Sequence, residues 1–231
     1  MDFNDSQQEA AFRKEARDFL EANAEKRSII SDKPNDKSPQ IAVAGAPEPV
    51  KGGKEAAQEA LERAKVWQKK KAEAGFAAIL WPKEFGGYGG SPIQQVIYSQ
   101  EEHDYLVPSG YFEIGIGMLG PTMMVWGKDE DKKRYLPKRI TGEEIWCQLF
   151  SEPSAGSDLA GIKMKAEKDG DEWVLNGQKV WTSGAHFADY GMIVARSDPS
   201  ALKHKGLTYF YLDMKTPGIE VRPIKQISGT S

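Results

Sequence analysis

Two stretches of this sequence hold residue types that could do chemistry together. The first is QLFSEPSAGSD, Gln148 to Asp158. An apolar run ending in Leu149 and Phe150 enters a turn dense with hydroxyls, Ser151, Ser154 and Ser157, and Gly156 lets the backbone come close to a ligand. Hydroxyls and exposed N–H groups in such a turn can hold an anion or a ring edged with carbonyls. The same residues could also simply cap one another and close the turn. The second stretch is GQKVWTSG, Gly177 to Gly184. Trp181 is followed by Thr182 and Ser183, so a flat aromatic face adjoins hydrogen-bonding groups. That combination suits a planar conjugated cofactor; the alternative is an indole packed on a sheet.

Other candidates fall away on spacing. GIGMLG, residues 115 to 120, matches G-x-G-x-x-G, but Pro121 follows at once and the downstream segment has helical spacing. A dinucleotide fingerprint needs a strand before it and an acid at a strand end about 20 residues on, so these glycines read as a site of close helix packing or a kink. His103, His186 and His204 are in no metal-ligand spacing, and His186 reads as a solvated loop residue. There is no G-x-S-x-G elbow, hence no support for an α/β-hydrolase triad. Cys147, the single cysteine, sits in an apolar run and reads as a small buried hydrophobe; it permits no intramolecular disulfide.

The elements that must position these residues change character near residue 144. Before it, helical spacing dominates. Ser6 and Glu9 make a capping box ahead of Phe12, Ala16, Phe19 and Leu20. Ala57, Ala60, Leu61, Ala64 and Trp67 repeat at helical intervals, with Gly75 as a stop. Ser91, Pro92 and Gln94 start a further helix whose inward residues are expected to be Ile93, Val96 and Ile97. The spacing predicts helices over most of 5–27, 54–74, 92–106 and 111–140. Residues 28–53, rich in Pro and Gly without periodicity, read as a loop-like insertion. After residue 144 come short apolar runs bounded by turns, including QKVWTS at 178–183 and IEVRPIK at 219–225, with a hairpin around Lys168 to Asp171. The expected fold is α+β: an all-α domain over 1–142, then an antiparallel β-barrel or sheet domain over 143–231.

The 231 residues carry 31 Lys and Arg against 34 Asp and Glu, a formal net charge of −3. No basic excess is present to neutralise a phosphate backbone, which argues against a nucleic-acid partner. The longest apolar run, Phe76 to Trp81, is far too short to span a bilayer, and the start MDFNDSQQEA lacks the regions of a signal peptide. A cytoplasmic location is expected.

FSEPSAGSD and NGQKVWTSGA, together with WPKEFGGYGG, YSQEEHDY and GKDEDKKRYLPKRITGEE, resemble the acyl-CoA dehydrogenase family over nearly the whole chain outside the insertion. The resemblance implies a helical domain, a middle β domain and a C-terminal helical bundle, the last expected to be missing from this chain. It implies FAD, with Gln148, Leu149, Phe150, Ser151, Gly156 and Ser157 along one side of the flavin and Trp181 against the ring. The family commonly has Trp-x-Thr where this chain has Trp181-Thr182-Ser183, so both hydroxyls are candidates to face flavin N5. Ser157 matches a position that touches the pantetheine arm of the acyl-CoA substrate. The implied reaction is α,β-dehydrogenation: a carboxylate takes an α-proton while the β-hydrogen leaves as hydride. The family's base is a Glu of the C-terminal helices, and none of Glu101, Glu102, Glu143, Glu144 or Glu152 matches it, so no catalytic residue is expected in this chain. An electron-transfer flavoprotein as acceptor and a homo-oligomer in the full-length form are implied. The alternatives are an acyl-CoA oxidase or flavin monooxygenase of the same fold, and a non-catalytic subunit of a hetero-oligomeric dehydrogenase.

Overall fold

The computed structural model describes residues 4–27 and 53–224. The insertion at 28–53 therefore lies outside the described residues except for Gly53, where a helix starts. The chain divides into two compact units, with the division between Glu143 and Glu144.

The first unit is helical. Helix α1, Gln7–Asn23, opens with the expected box: Ser6 Oγ accepts from Glu9 N–H and Glu9 Oε2 accepts from Ser6 N–H. Its apolar face, Phe12, Ala16 and Leu20, is buried. A short strand β1, Glu25–Lys26, pairs antiparallel with β2, Tyr105–Leu106. Helix α2, Gly53–Glu73, buries Leu61, Ala64 and Trp67, and Gly75 in the left-handed region ends it. Helix α3, Pro92–His103, carries the second capping box, Ser91 with Gln94. Its inward face differs from the expectation: Ile93 and Val96 are exposed, while Ile97, Tyr98 and Glu101 are buried. Glu101 goes inside because α1 brings Arg13 and Arg17 to its carboxylate at 2.8–3.0 Å. A buried acid with two guanidinium partners costs far less than one without.

GIGMLG is helical. Residues Gly115–Leu119 form a π-turn in which Gly120 N–H reaches Gly115 C=O, and helix α4, Gly120–Trp126, continues from it. Pro121 has no N–H to offer the next carbonyl in that pattern, Ile116. The Trp81 indole N–H donates to it at 2.9 Å. A Cβ at Gly120 would overlap the Trp81 indole and one at Gly87 would overlap the Trp81 carbonyl and Cβ, so Gly120 makes room for the ring that satisfies the turn and Gly87 for the backbone that carries it. Helix α5, Asp129–Thr141, ends at left-handed Gly142.

The second unit is a five-stranded sheet: β3 Trp146–Leu149, β4 Lys165–Asp169, β5 Glu172–Asn176, β6 Tyr190–Arg196 and β7 Leu207–Asp213. The segregated α+β layout is present, and the β4–β5 hairpin turns at Gly170 as read from the sequence. Among the described residues the sheet is mixed rather than uniformly antiparallel, and it does not close into a barrel. Strand β6 pairs antiparallel with β7 along its length and parallel with β3, with one further parallel pair, Lys165 to Arg196, joining β4. Its interior residues Gly191 to Ala195 are all buried, the pattern of a strand covered on both faces. Two expected strands are not strands. Residues 178–183 are irregular because Trp181 takes a left-handed φ of 60°, and 219–224 also carry no strand.

Candidate functional site

Strand β3 delivers the first group of candidates. Leu149 is buried in a cluster with Cys147, Ala185 and Ile193, and Gln148 is half-buried. Phe150 leaves the strand and sets its ring edge-on to Tyr209, 6.4 Å between centroids. The turn then folds on itself: Glu152 and Ala155 exchange backbone hydrogen bonds at 2.8 and 3.1 Å. Ser151 is half-buried, whereas Ser154, Gly156 and Ser157 are exposed, and nothing lies within 4 Å of a Cβ built on Gly156.

The second group is tied to the first. Val180 N–H donates to Ser151 C=O at 2.9 Å, and Lys179 Nζ donates to Phe150 C=O at 2.9 Å. The two stretches, some 25 residues apart in sequence, run side by side. Lys179 also forms an ion pair with Glu152 at 2.9 Å, their side chains only 4% and 5% exposed. The second Glu152 oxygen accepts Lys163 N–H at 2.7 Å, and the first also accepts Met164 N–H at 2.9 Å. Burial opposes the charge on Glu152, but the Lys163 amide, the Lys179 ammonium and the Met164 amide outweigh it and hold the carboxyl below its usual range.

Immediately after this tie the backbone turns left-handed at Trp181, whose side chain is 73% exposed. The packed-indole alternative is thereby excluded. Thr182 and Ser183 are half-buried beside it, and Thr182 C=O accepts from Ala185 N–H at 3.1 Å as the chain turns through Gly184. Among the described residues, no side-chain hydrogen bond engages Gln148, Ser151, Ser154, Ser157, Thr182 or Ser183. The arrangement is thus a bare aromatic face and a set of uncommitted hydroxyls on a rigidly tied backbone. The alternative of a turn closed by its own serines does not describe it.

Sequence reasoning missed Lys179. The signal was one cationic residue between a turn and a Trp, in a segment otherwise fit for a strand. Glu152, which the resemblance does not match to the family's base, is the centre of the tie. His186 is exposed, edge-on to Phe187 at 4.7 Å. Among the described residues, no helix is long and apolar enough to cross a membrane.

Comparison with known proteins bears on the whole chain. Residues 48–143 match the family model for the acyl-CoA dehydrogenase N-terminal domain, and residues 147–231 match that for its middle domain. The chain is 41% identical to the acyl-CoA dehydrogenase IpdE1 of Mycobacterium tuberculosis, across 78% of this chain and 47% of that protein. It is 48% identical to FadE34 of the same organism, across 69% of this chain and 22% of that protein. Among solved structures, the Tcur3481-Tcur3483 steroid ACAD superposes with a TM-score of 0.74 at 31% identity, covering 99% of this chain and 53% of that one. The ChsE4-ChsE5 complex of Mycobacterium tuberculosis superposes with a TM-score of 0.73 at 29% identity, covering 100% and 52%. The chain spans about half the length of the first of these curated relatives. With a helical unit, a mixed sheet and both matches in the same order, this chain belongs to the acyl-CoA dehydrogenase family.

Proposed function

We propose that this chain supplies the flavin-facing half of an FAD-dependent acyl-CoA dehydrogenase. The observation that carries the reading is Trp181: a large aromatic held outward in a strained backbone, beside hydroxyls that have no partner. Non-glycine residues held left-handed cluster where a site needs a side chain in one place. The residues fit a planar, polar-edged ring. Trp181 offers the face, Thr182 and Ser183 the adjoining donors, and Gln148 to Ser151 with Gly156 and Ser157 the second line of contacts. Ser157 is the residue we assign to the pantetheine arm of the acyl-CoA, on the resemblance, and its exposure on the turn supports that reading.

Bound there, FAD supplies the two-electron acceptor for α,β-dehydrogenation. The chain's own part is to orient that ring and keep its surroundings dry on one side. Glu152 is not assigned as the base, because both its oxygens are taken and its carboxyl is held below the usual range. The base is assigned outside these 231 residues, where the family resemblance puts it. An external electron-transfer protein is the proposed acceptor. The two-component assemblies among the structural relatives favour a second reading, in which the chain works as one subunit beside another acyl-CoA dehydrogenase chain.

The test is an FAD titration of the 231-residue chain followed by flavin absorbance, then dye reduction with a panel of acyl-CoAs that includes a steroid-ring thioester. Weak, saturable FAD binding and no turnover by the chain alone are expected. Absence of FAD binding would defeat the flavin reading, and steady turnover would force a base within residues 1–231.

A further inference from the structure

We propose that the buried Lys179–Glu152 pair is the positioning device of the candidate site, and that it holds Trp181 in its outward, left-handed conformation. The inference rests on the reading of Trp181 as the flavin platform. Neither residue touches the ring; both act through the backbone.

Three features of the structure converge on the pair. The first is connectivity. Glu152 gathers Lys163 N–H, Met164 N–H and Lys179 Nζ, and Lys179 in turn holds Phe150 C=O. Three separate stretches, 150–155, 162–164 and 178–181, are thereby fixed to one carboxylate. The second is position. The Val180 N–H bond to Ser151 C=O follows Lys179 directly, and Trp181 follows Val180, so the tie ends where the strained residue begins. Behind Trp181, the Ala185 N–H to Thr182 C=O bond and left-handed Gly184 fix the other side. A left-handed Trp persists only where its neighbours over-determine it. The third is that local packing gives no other reason for the conformation, since the indole is 73% exposed.

The buried pair is an expensive way to hold a surface turn. A buried ion pair is no better for stability than apolar side chains of the same shape, and its clearest use is to specify one arrangement. Here the arrangement specified is the distance and register between the hydroxyl turn and Trp181.

The test uses the full chain as parent, K179M, K179R, E152Q and W181F, each first checked for native circular dichroism. Without ligand, hydrogen exchange is read at the Val180 amide. K179M and E152Q are expected to exchange there at least about tenfold faster than the parent, with K179R close to the parent. With FAD, K179M is expected to bind about tenfold more weakly, the size of one strained residue released to its relaxed form. At saturation its flavin emission is expected to lose the quenching that W181F also removes, and K179R is expected to restore it. A folded K179M with unchanged Val180 exchange and unchanged quenching would overturn the proposal. Should K179M not fold, the contrast between E152Q and K179R decides it in the same way: parent-like exchange and quenching in E152Q overturn it. A parent that binds no FAD would instead refute the flavin reading, while the exchange measurements would still decide whether the pair holds Trp181.

Discussion

Replacing Trp181 with glycine separates the two roles a tryptophan can have, and the structure gives both magnitudes. The residue is 73% exposed, so about a quarter of its area is covered; at 150–250 Å² for a whole side chain and ~25 cal/mol per Å², removing it loses about 1–1.5 kcal/mol of burial. Relief of the left-handed conformation returns about 1–2 kcal/mol, and the added freedom of glycine in the unfolded chain takes back about 0.5–1 kcal/mol. The sum lies between a loss of about 1.5 and a gain of about 0.5 kcal/mol, whereas deleting a core Trp costs about 3–5 kcal/mol. The effect on FAD is the opposite. A ring face covering roughly 100 Å² is worth about 2.5 kcal/mol, a weakening of about 70-fold. Urea unfolding of the ligand-free chain and an FAD titration read the two numbers. A loss of more than about 3 kcal/mol in the ligand-free chain would make Trp181 a packing residue, and unchanged FAD affinity would remove it from the site.

Further outcomes are expected elsewhere. E101Q should cost about 1–2 kcal/mol at neutral pH, limited by the half-exposed Arg17 partner. Hydrogen bonds from Arg17, resisted by burial and joined by those from Arg13, lower the folded pKa of Glu101, so this contribution is present above the unfolded value near 4.5 and lost as pH falls through the folded value. The difference between parent and E101Q in urea unfolding should therefore shrink on acidification; a constant difference would contradict the ion-pair account. G120A should lower the thermal midpoint of the helical unit, because its Cβ overlaps Trp81, whose indole must stay to satisfy Ile116; an unchanged midpoint would show that the indole can move at no cost. Cys147, buried and with its thiol pushed up to about 12 by desolvation, should be silent to thiol reagents at mildly alkaline pH until urea unfolds the sheet, and prompt labelling of the native chain would show that β3 opens.

What could be read in advance follows the range of each signal along the chain. The two capping boxes, Ser6 with Glu9 and Ser91 with Gln94, span three residues each and formed as expected. The β4–β5 hairpin is equally local. The buried face of α3 was misread because Ile93, Val96 and Ile97 fit a helical stripe, yet the face is chosen by Arg13 and Arg17 from α1, more than 80 residues away. The parallel pairing of β3 with β6 left no local mark either, since turns between strands announce only neighbours joined by hairpins. In the candidate site, the hydroxyl at Ser151 and the aromatic next to hydroxyls at Trp181 and Thr182 could be picked out by residue type alone. The geometry could not, because Val180, Trp181 and Thr182 are good strand formers, and neither the left-handed φ at Trp181 nor the Lys179–Glu152 contact across 27 residues leaves a local mark.

The most direct measurement is hydrogen exchange of the 231-residue chain with and without saturating FAD, read peptide by peptide. Protection is expected in two stretches only, 148–157 and 180–184, with the helical unit unchanged. Protection confined to the helical unit, or none in either stretch at a concentration where flavin absorbance shows binding, would contradict the assignment of this turn and this tryptophan as the flavin wall.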